Sequence, residues 1–150
     1  MIKKGDIANM KFAEEVLRVQ IPSYLVEAEL IDFYEIPPLK DTIHTLQQCE
    51  EIFYGYYEQD TLCGAISIKI EVNIIDIHRL MVHPQHFRKG IAKKLIDFIS
   101  HEEGVDTLIV STGSKNTPAI QFYQKNGFVK TGETTITEHL SITSFQKMLG

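Results

Sequence analysis

The spacing of apolar positions changes near residue 52. Before it, Leu17, Leu25, Ala28, Leu30 and Ile31 form partial stripes at helical spacing. They predict two helices, residues 8–19 and 24–33, with a break at Pro22-Ser23. Pro37-Pro38 is a second break, and residues 41–49 read as a short third helix opened by Asp41 or Thr42. From Ile52 onward strands take over. Residues 52–57 and 62–70 predict a hairpin turned at Glu58-Gln59-Asp60-Thr61, and residues 73–82 a further strand. A helix over 89–100 presents Ile91, Leu95, Phe98 and Ile99 on one face. A strand at 107–111, a helix at 118–126 and strands at 128–130 and 139–145 complete the pattern. A first strand would have to lie in the few residues around Ile2. Antiparallel strands followed by β-α-β-α-β predict an α/β (α+β) fold with a mixed, mostly antiparallel sheet of six to seven strands and helices on both faces.

The richest segment runs from His78 to Leu95. An aliphatic strand ending Leu80-Met81-Val82 is stopped by His83-Pro84, and Arg88-Lys89-Gly90-Ile91-Ala92-Lys93 then leads into a helix. Strand, cationic glycine turn and helix N-terminus together form an anion cradle. Free N–H groups of the first helical turn point at the anion, and the helix dipole adds to the attraction. Gly90 lets a phosphate approach the backbone closely, and Ala92 adds little bulk.

About 25 residues downstream lies Asn116-Thr117-Pro118-Ala119-Ile120-Gln121-Phe122-Tyr123-Gln124-Lys125-Asn126-Gly127-Phe128. Asn116 or Thr117 suits a helix cap, Pro118 the first turn and Gly127 the left-handed stop. Ala119, Phe122 and Tyr123 share a helical face, which sets the Tyr123 hydroxyl beside an apolar body. These residues resemble the GNAT superfamily of acetyl-CoA-dependent N-acetyltransferases. Its loop Gln/Arg-x-x-Gly-x-Gly/Ala is met at Gly90 and Ala92. Phe87 stands at its opening position, with Arg88 displaced by one. Its later pattern, Asn-x-x-Ala-x-x-x-Tyr-x-x-x-Gly-Phe, is met in full.

The resemblance implies a fold in which the fourth and fifth strands splay apart to admit the cofactor. It places the pyrophosphate of acetyl-CoA on the 88–93 turn. It lays the pantetheine arm along Leu80-Met81-Val82, with a main-chain N–H near Met81 or Val82 at the developing oxyanion. Asn116 either bonds that arm or caps its own helix. Tyr123 takes the part of general acid toward the CoA thiolate. For the base, alternation puts Asp76, His78 and Leu80 on one strand face. An imidazole is a suitable general base, and a catalytic histidine stands at the His78 position in some members of the superfamily; Asp76 is the substitute. His78, His83 and His86 raise the question of a metal, but no carboxylate or Cys completes a set at ligand spacing along the chain, so no metal is expected. No nucleophilic Ser or Cys sits in an elbow or triad sequence, which suits direct transfer.

Composition narrows the partners. A chain of 150 residues is one domain's worth, expected to span 1–150. Its 43% hydrophobic and 23% charged residues are those of a globular protein. No apolar run approaches the ~20 residues of a membrane span, and no signal-peptide pattern opens the chain. Two cysteines, Cys49 and Cys63, are too few for a disulfide framework, so a cytoplasmic setting is expected. Residues 1–60 carry twelve acids against five bases, a balance of −7. That disfavours nucleic acid and suits a cationic acceptor, a small-molecule or peptide amine, unless the acids are only a solvated surface. A homodimer is the assembly to test for. The competing reading is a non-catalytic acyl-CoA-binding regulatory module.

Overall fold

Seven strands form one open sheet in the order β1-β2-β3-β4-β5-β7-β6, and the computed structural model describes all 150 residues. The strands are β1 (Ile2–Gly5), β2 (Ile52–Glu58), β3 (Thr61–Glu71), β4 (Ile74–Val82), β5 (Thr107–Gly113), β6 (Val129–Thr137) and β7 (Leu140–Met148). The helices are α1 (Met10–Ile31), α2 (Ile43–Gln47), α3 (Ile91–Ile99) and α4 (Thr117–Lys125). The first strand is present, paired antiparallel to β2 from Ile2 opposite Tyr56 to Gly5 opposite Phe53. The last two strands run longer than the sequence suggests because they pair with each other along nearly their whole length, leaving β6 as an exposed edge.

The two predicted N-terminal helices are one. Helix α1 runs unbroken through Pro22, capped by Asn9, whose side chain accepts the Phe12 N–H at 3.0 Å. A proline inside a helix costs about 3 kcal/mol. Here Val16, Val19, Ala28 and Ile31 are buried on both sides of it, so packing of the whole length outweighs that local cost. One face of the sheet receives α1. There Phe12, Val16 and Val19 pack on Phe53, Leu62, Ala65 and Met81. The other face receives α3 and α4, where Ile91, Leu95 and Tyr123 join Ile66, Ile68, Ile75, Ile77 and Phe145. Phe98 departs from its predicted place: it is 44% exposed, at the margin of the α3 stripe, with its ring 5.2 Å from that of Tyr54.

A bulge in β4 changes what the alternation implied. Ser67 of β3 stands opposite Arg79, but Ile68 stands opposite Ile77, so His78 is an extra residue on β4. The faces therefore slip by one. Ile77 and Leu80 both pack on the α3 side, while His78 and Arg79 both turn to the α1 side. Asp76 and His78 remain on one face, with Nε2 of His78 3.3 Å from the Asp76 carboxylate. Leu80 does not share it.

Candidate active site

Strands β4 and β5 pair in parallel over only three residues each, Ile74–Asp76 with Thr107–Ile109, and then part. The slit between them opens into a cavity of about 850 Å³ that passes through the sheet, bounded by α1 on one side and by the N-terminal ends of α3 and α4 on the other. It is large enough for a drug-sized ligand. His78, Leu80, Val82, Arg88, Gly90, Ile91, Ala92, Lys93, Asn116 and Tyr123 all line it. Among the residues singled out from sequence for cofactor or catalysis, Asp76, Met81 and Lys89 do not. Met81 packs under α1. Lys89 Nζ is drawn to the Glu58 carboxylate at 3.2 Å and to His86 Nδ1 at 3.0 Å.

At the cradle end, Gly90 takes φ 74° as the N-terminal flank of α3, which has no side-chain cap. Arg88 is also left-handed, at φ 65°. A Cβ at Gly90 would meet no atom within 4 Å. The first N–H groups of α3 are therefore left for a ligand, with Arg88 and Lys93 as flanking cations. Along β4, residues alternate in the side to which they offer their backbone groups. The Leu80 N–H reaches the Tyr24 hydroxyl at 3.3 Å and the Val82 N–H the Ser23 hydroxyl at 3.3 Å, both from α1. Met81, opposite Ala65, turns its N–H to β3. Of the two N–H groups considered for an oxyanion, Val82's faces the slit and Met81's does not; Leu80 adds a second.

Tyr123 is 6% exposed, its ring edge-on to Phe122 and Phe128 and tilted over Phe145. Burial, followed by the proximity of Tyr24 and Glu27, raises its pKa above the ordinary 10.0. Burial and the same carboxylate also raise that of Tyr24. Both phenols thus keep their protons throughout the neutral range. Asn116 caps α4: its Oδ1 accepts the Ala119 N–H at 3.2 Å, while its Nδ2 donates to Glu27 at 3.0 Å.

His78, one-third exposed, sits between two carboxylates, with Nδ1 3.6 Å from Glu51 and Nε2 3.3 Å from Asp76. Beneath it Glu51 pairs with Arg79 and accepts the Ser67 hydroxyl at 2.6 Å, and Arg79 reaches Asp41 at 3.0 Å. Arg79 is held protonated by Glu51 and Asp41 against the opposing effect of its burial. Glu51→Ala should cost about 3 kcal/mol, since it leaves a buried guanidinium with one partner. In thermal melts that is a fall of about 10 °C for a chain of this length.

The absence of a metal-ligand set along the chain does not carry into space. Glu58, Cys63 and His86 offer ligand atoms within 4.8 Å of one another, assembled from the β2–β3 hairpin and the turn after β4. The Lys89 ammonium is already bonded to two of the three. The sequence also gave no warning of Ser23, Tyr24 and Glu27, which approach the slit because α1 is continuous. Only helical spacing from Ala28 and Ile31 would have grouped them.

Residues 49–130 match the family described as acetyltransferase (GNAT) domain. The UPF0157 protein YqkA of Bacillus subtilis (strain 168) is 39% identical over 134 residues, which is 89% of this chain and 39% of that protein. The spermidine N(1)-acetyltransferase of Thermoplasma acidophilum is 28% identical over 93 residues, 60% of this chain and 58% of that protein. The chain spans less than two thirds of either relative. Among solved structures, the PaiA N-acetyltransferase of Thermoplasma acidophilum in complex with coenzyme A superposes with a TM-score of 0.78 at 22% identity, covering 99% of this chain and 98% of that one. The ribosomal-protein-S18-alanine N-acetyltransferase of Escherichia coli gives 0.79 at 12% identity, over 100% and 94%. At these identities the two structures share the fold. With more than half of its residues inside the family's domain, the chain belongs to the GNAT acetyltransferases.

Proposed function

We propose that this domain binds acetyl-CoA in the slit and moves its acetyl group directly to a primary amine of a small molecule or peptide. The observation that carries the reading is the through-sheet slit: an N–H cradle opens on one side and a buried, protonated Tyr123 lines the same cavity. Pyrophosphate is assigned to the α3 N-terminus, flanked by Arg88 and Lys93. The Leu80 and Val82 N–H groups hold the acyl arm once it displaces the Tyr24 and Ser23 hydroxyls, and one of them receives the carbonyl oxygen as charge develops on it.

The amine lone pair attacks the thioester carbonyl carbon, the C–S bond breaks, and the sulfur leaves toward the Tyr123 O–H. His78 takes the proton lost by the acceptor, directly or through water, with Asp76 and Glu51 fixing its ring. No covalent enzyme intermediate is needed. A free-thiol release assay with acetyl-CoA and a panel of amines tests the reading. Amine-dependent thiol release supports it, whereas tight CoA binding without turnover on any amine would favour the non-catalytic module. His78→Ala should lower kcat/KM about 10²-fold at neutral pH and less at alkaline pH, where the free amine forms unaided. An unaltered pH profile in that variant would make His78 structural and Asp76→Asn the next substitution.

A further inference from the structure

The acidity of residues 1–60 hardly reaches the slit. Glu27 is the sole carboxylate lining the cavity. Its placement comes from three elements: α1 carries it, Thr112 of β5 donates to it at 2.9 Å, and Asn116 at the cap of α4 donates at 3.0 Å. Both donors use the same oxygen, Oε1. That fixes the carboxylate across the gap and leaves Oε2 without a hydrogen bond or ion pair in the chain. The carboxylate stands close enough to Tyr24 and Tyr123, from opposite sides of the slit, to influence both phenols.

Past Tyr24, Thr112 and Asn116, one stretch of the wall is apolar. Leu30, Ile31, Ile36, Pro37, Leu140 and Ile142 line the same cavity on the α1 side. Several of them already belong to a small apolar cluster of Ala28, Ile31 and Ile36 with Leu140. Leu30 is nonetheless 46% exposed, as a wall awaiting a ligand would be. An ammonium is well served at Oε2, by a charge-assisted bond in a site partly shielded from water. A second ammonium further along the same acceptor would face aliphatic side chains with no carboxylate in the cavity to receive it, and desolvation of that charge is costly.

We infer that Glu27 is the ammonium-recognising residue of the acceptor site, and that the acceptor is a monocationic amine carried on an apolar body rather than a polyamine. The assignment rests on acetyl transfer to an amine as proposed above. Docked at Oε2, the ammonium gives up its proton to His78, directly or through water, before its lone pair attacks the thioester.

The test compares hexylamine with 1,6-diaminohexane and spermidine, using thiol release from acetyl-CoA. Hexylamine and the diamine have the same carbon chain and differ by one cation. Hexylamine should give the higher kcat/KM, by about tenfold or more. Along the n-alkylamines from propyl to hexyl, kcat/KM should rise by about fourfold per methylene buried. Glu27→Gln keeps an Oε1 acceptor for Thr112 and Asn116 and removes the charge. It should raise the KM for hexylamine roughly 10- to 100-fold while the Kd for CoA is unchanged. A preference for the diamine or spermidine would overturn the inference and leave acetyl transfer standing. So would a Glu27→Gln variant with wild-type KM, or one whose CoA affinity falls as much as its amine affinity, since Glu27 would then only brace β5 and α4. Turnover on no amine at all would overturn the proposed function itself, and this inference with it.

Discussion

Tyr123→Phe should lower kcat by about 10²-fold or more and leave the Kd for CoA nearly unchanged. The ring is held by Phe122, Phe128 and Phe145, and the substitution keeps every one of those contacts. What it removes is a hydroxyl whose proton is held tightly. Burial raises the pKa above 10.0, with Tyr24 and Glu27 adding to it. The sign follows directly: a phenol with a native pKa above its unfolded value binds its proton more firmly when folded. Loss of that proton therefore produces no descending limb in the pH–rate profile below about pH 10. A weaker acid than free tyrosine cannot protonate a resting thiolate downhill. In the proposed mechanism its part is to hydrogen-bond the departing sulfur and share its proton as negative charge builds during C–S cleavage. Full activity in the Phe variant, measured by thiol release, would return Tyr123 to the role of core packing.

Gly90→Glu should abolish CoA binding, raising Kd by about 10²-fold or more in calorimetry. The protein itself offers no obstacle to the new side chain, since a Cβ there meets nothing within 4 Å. The cost to folding is confined to the φ of 74°, about 1 kcal/mol for a non-glycine residue. The expected loss in binding comes from placing a carboxylate among the N–H groups proposed to hold pyrophosphate. Gly90→Ala separates the two effects, because it carries the same backbone strain without the charge. If the Glu variant binds CoA as the wild type does, the cradle lies elsewhere and the assignment of the 88–93 turn fails.

The part of this molecule that was legible in sequence is the part governed by local chemistry. Gly90 starting a helix after a stopped strand, Asn116 capping and Gly127 ending another, and strand alternation after residue 52 are all decided within a few residues. Local rules also fixed most of the sheet. They failed where long-range packing competes with them. Pro22 reads as a helix end, yet α1 passes through it because four buried apolar side chains flank it. The brief strand at Ile2 exists because β2 offers an edge to pair with.

The site divides in the same way. The cradle and Tyr123 sit in contiguous motifs, so the chain itself announces them. The bulge that turns His78 away from Leu80 depends on register with β3, which no single strand encodes. Glu27 lies 85 and 89 residues from the partners that orient it, and its meaning arises only when α1, β5 and α4 meet across the slit. Sequence alone determined a cationic glycine turn at a helix N-terminus and a family-like tyrosine. The tertiary structure decided which backbone N–H groups face the slit and which acid enters it, because both follow from strands that pair for three residues and then part.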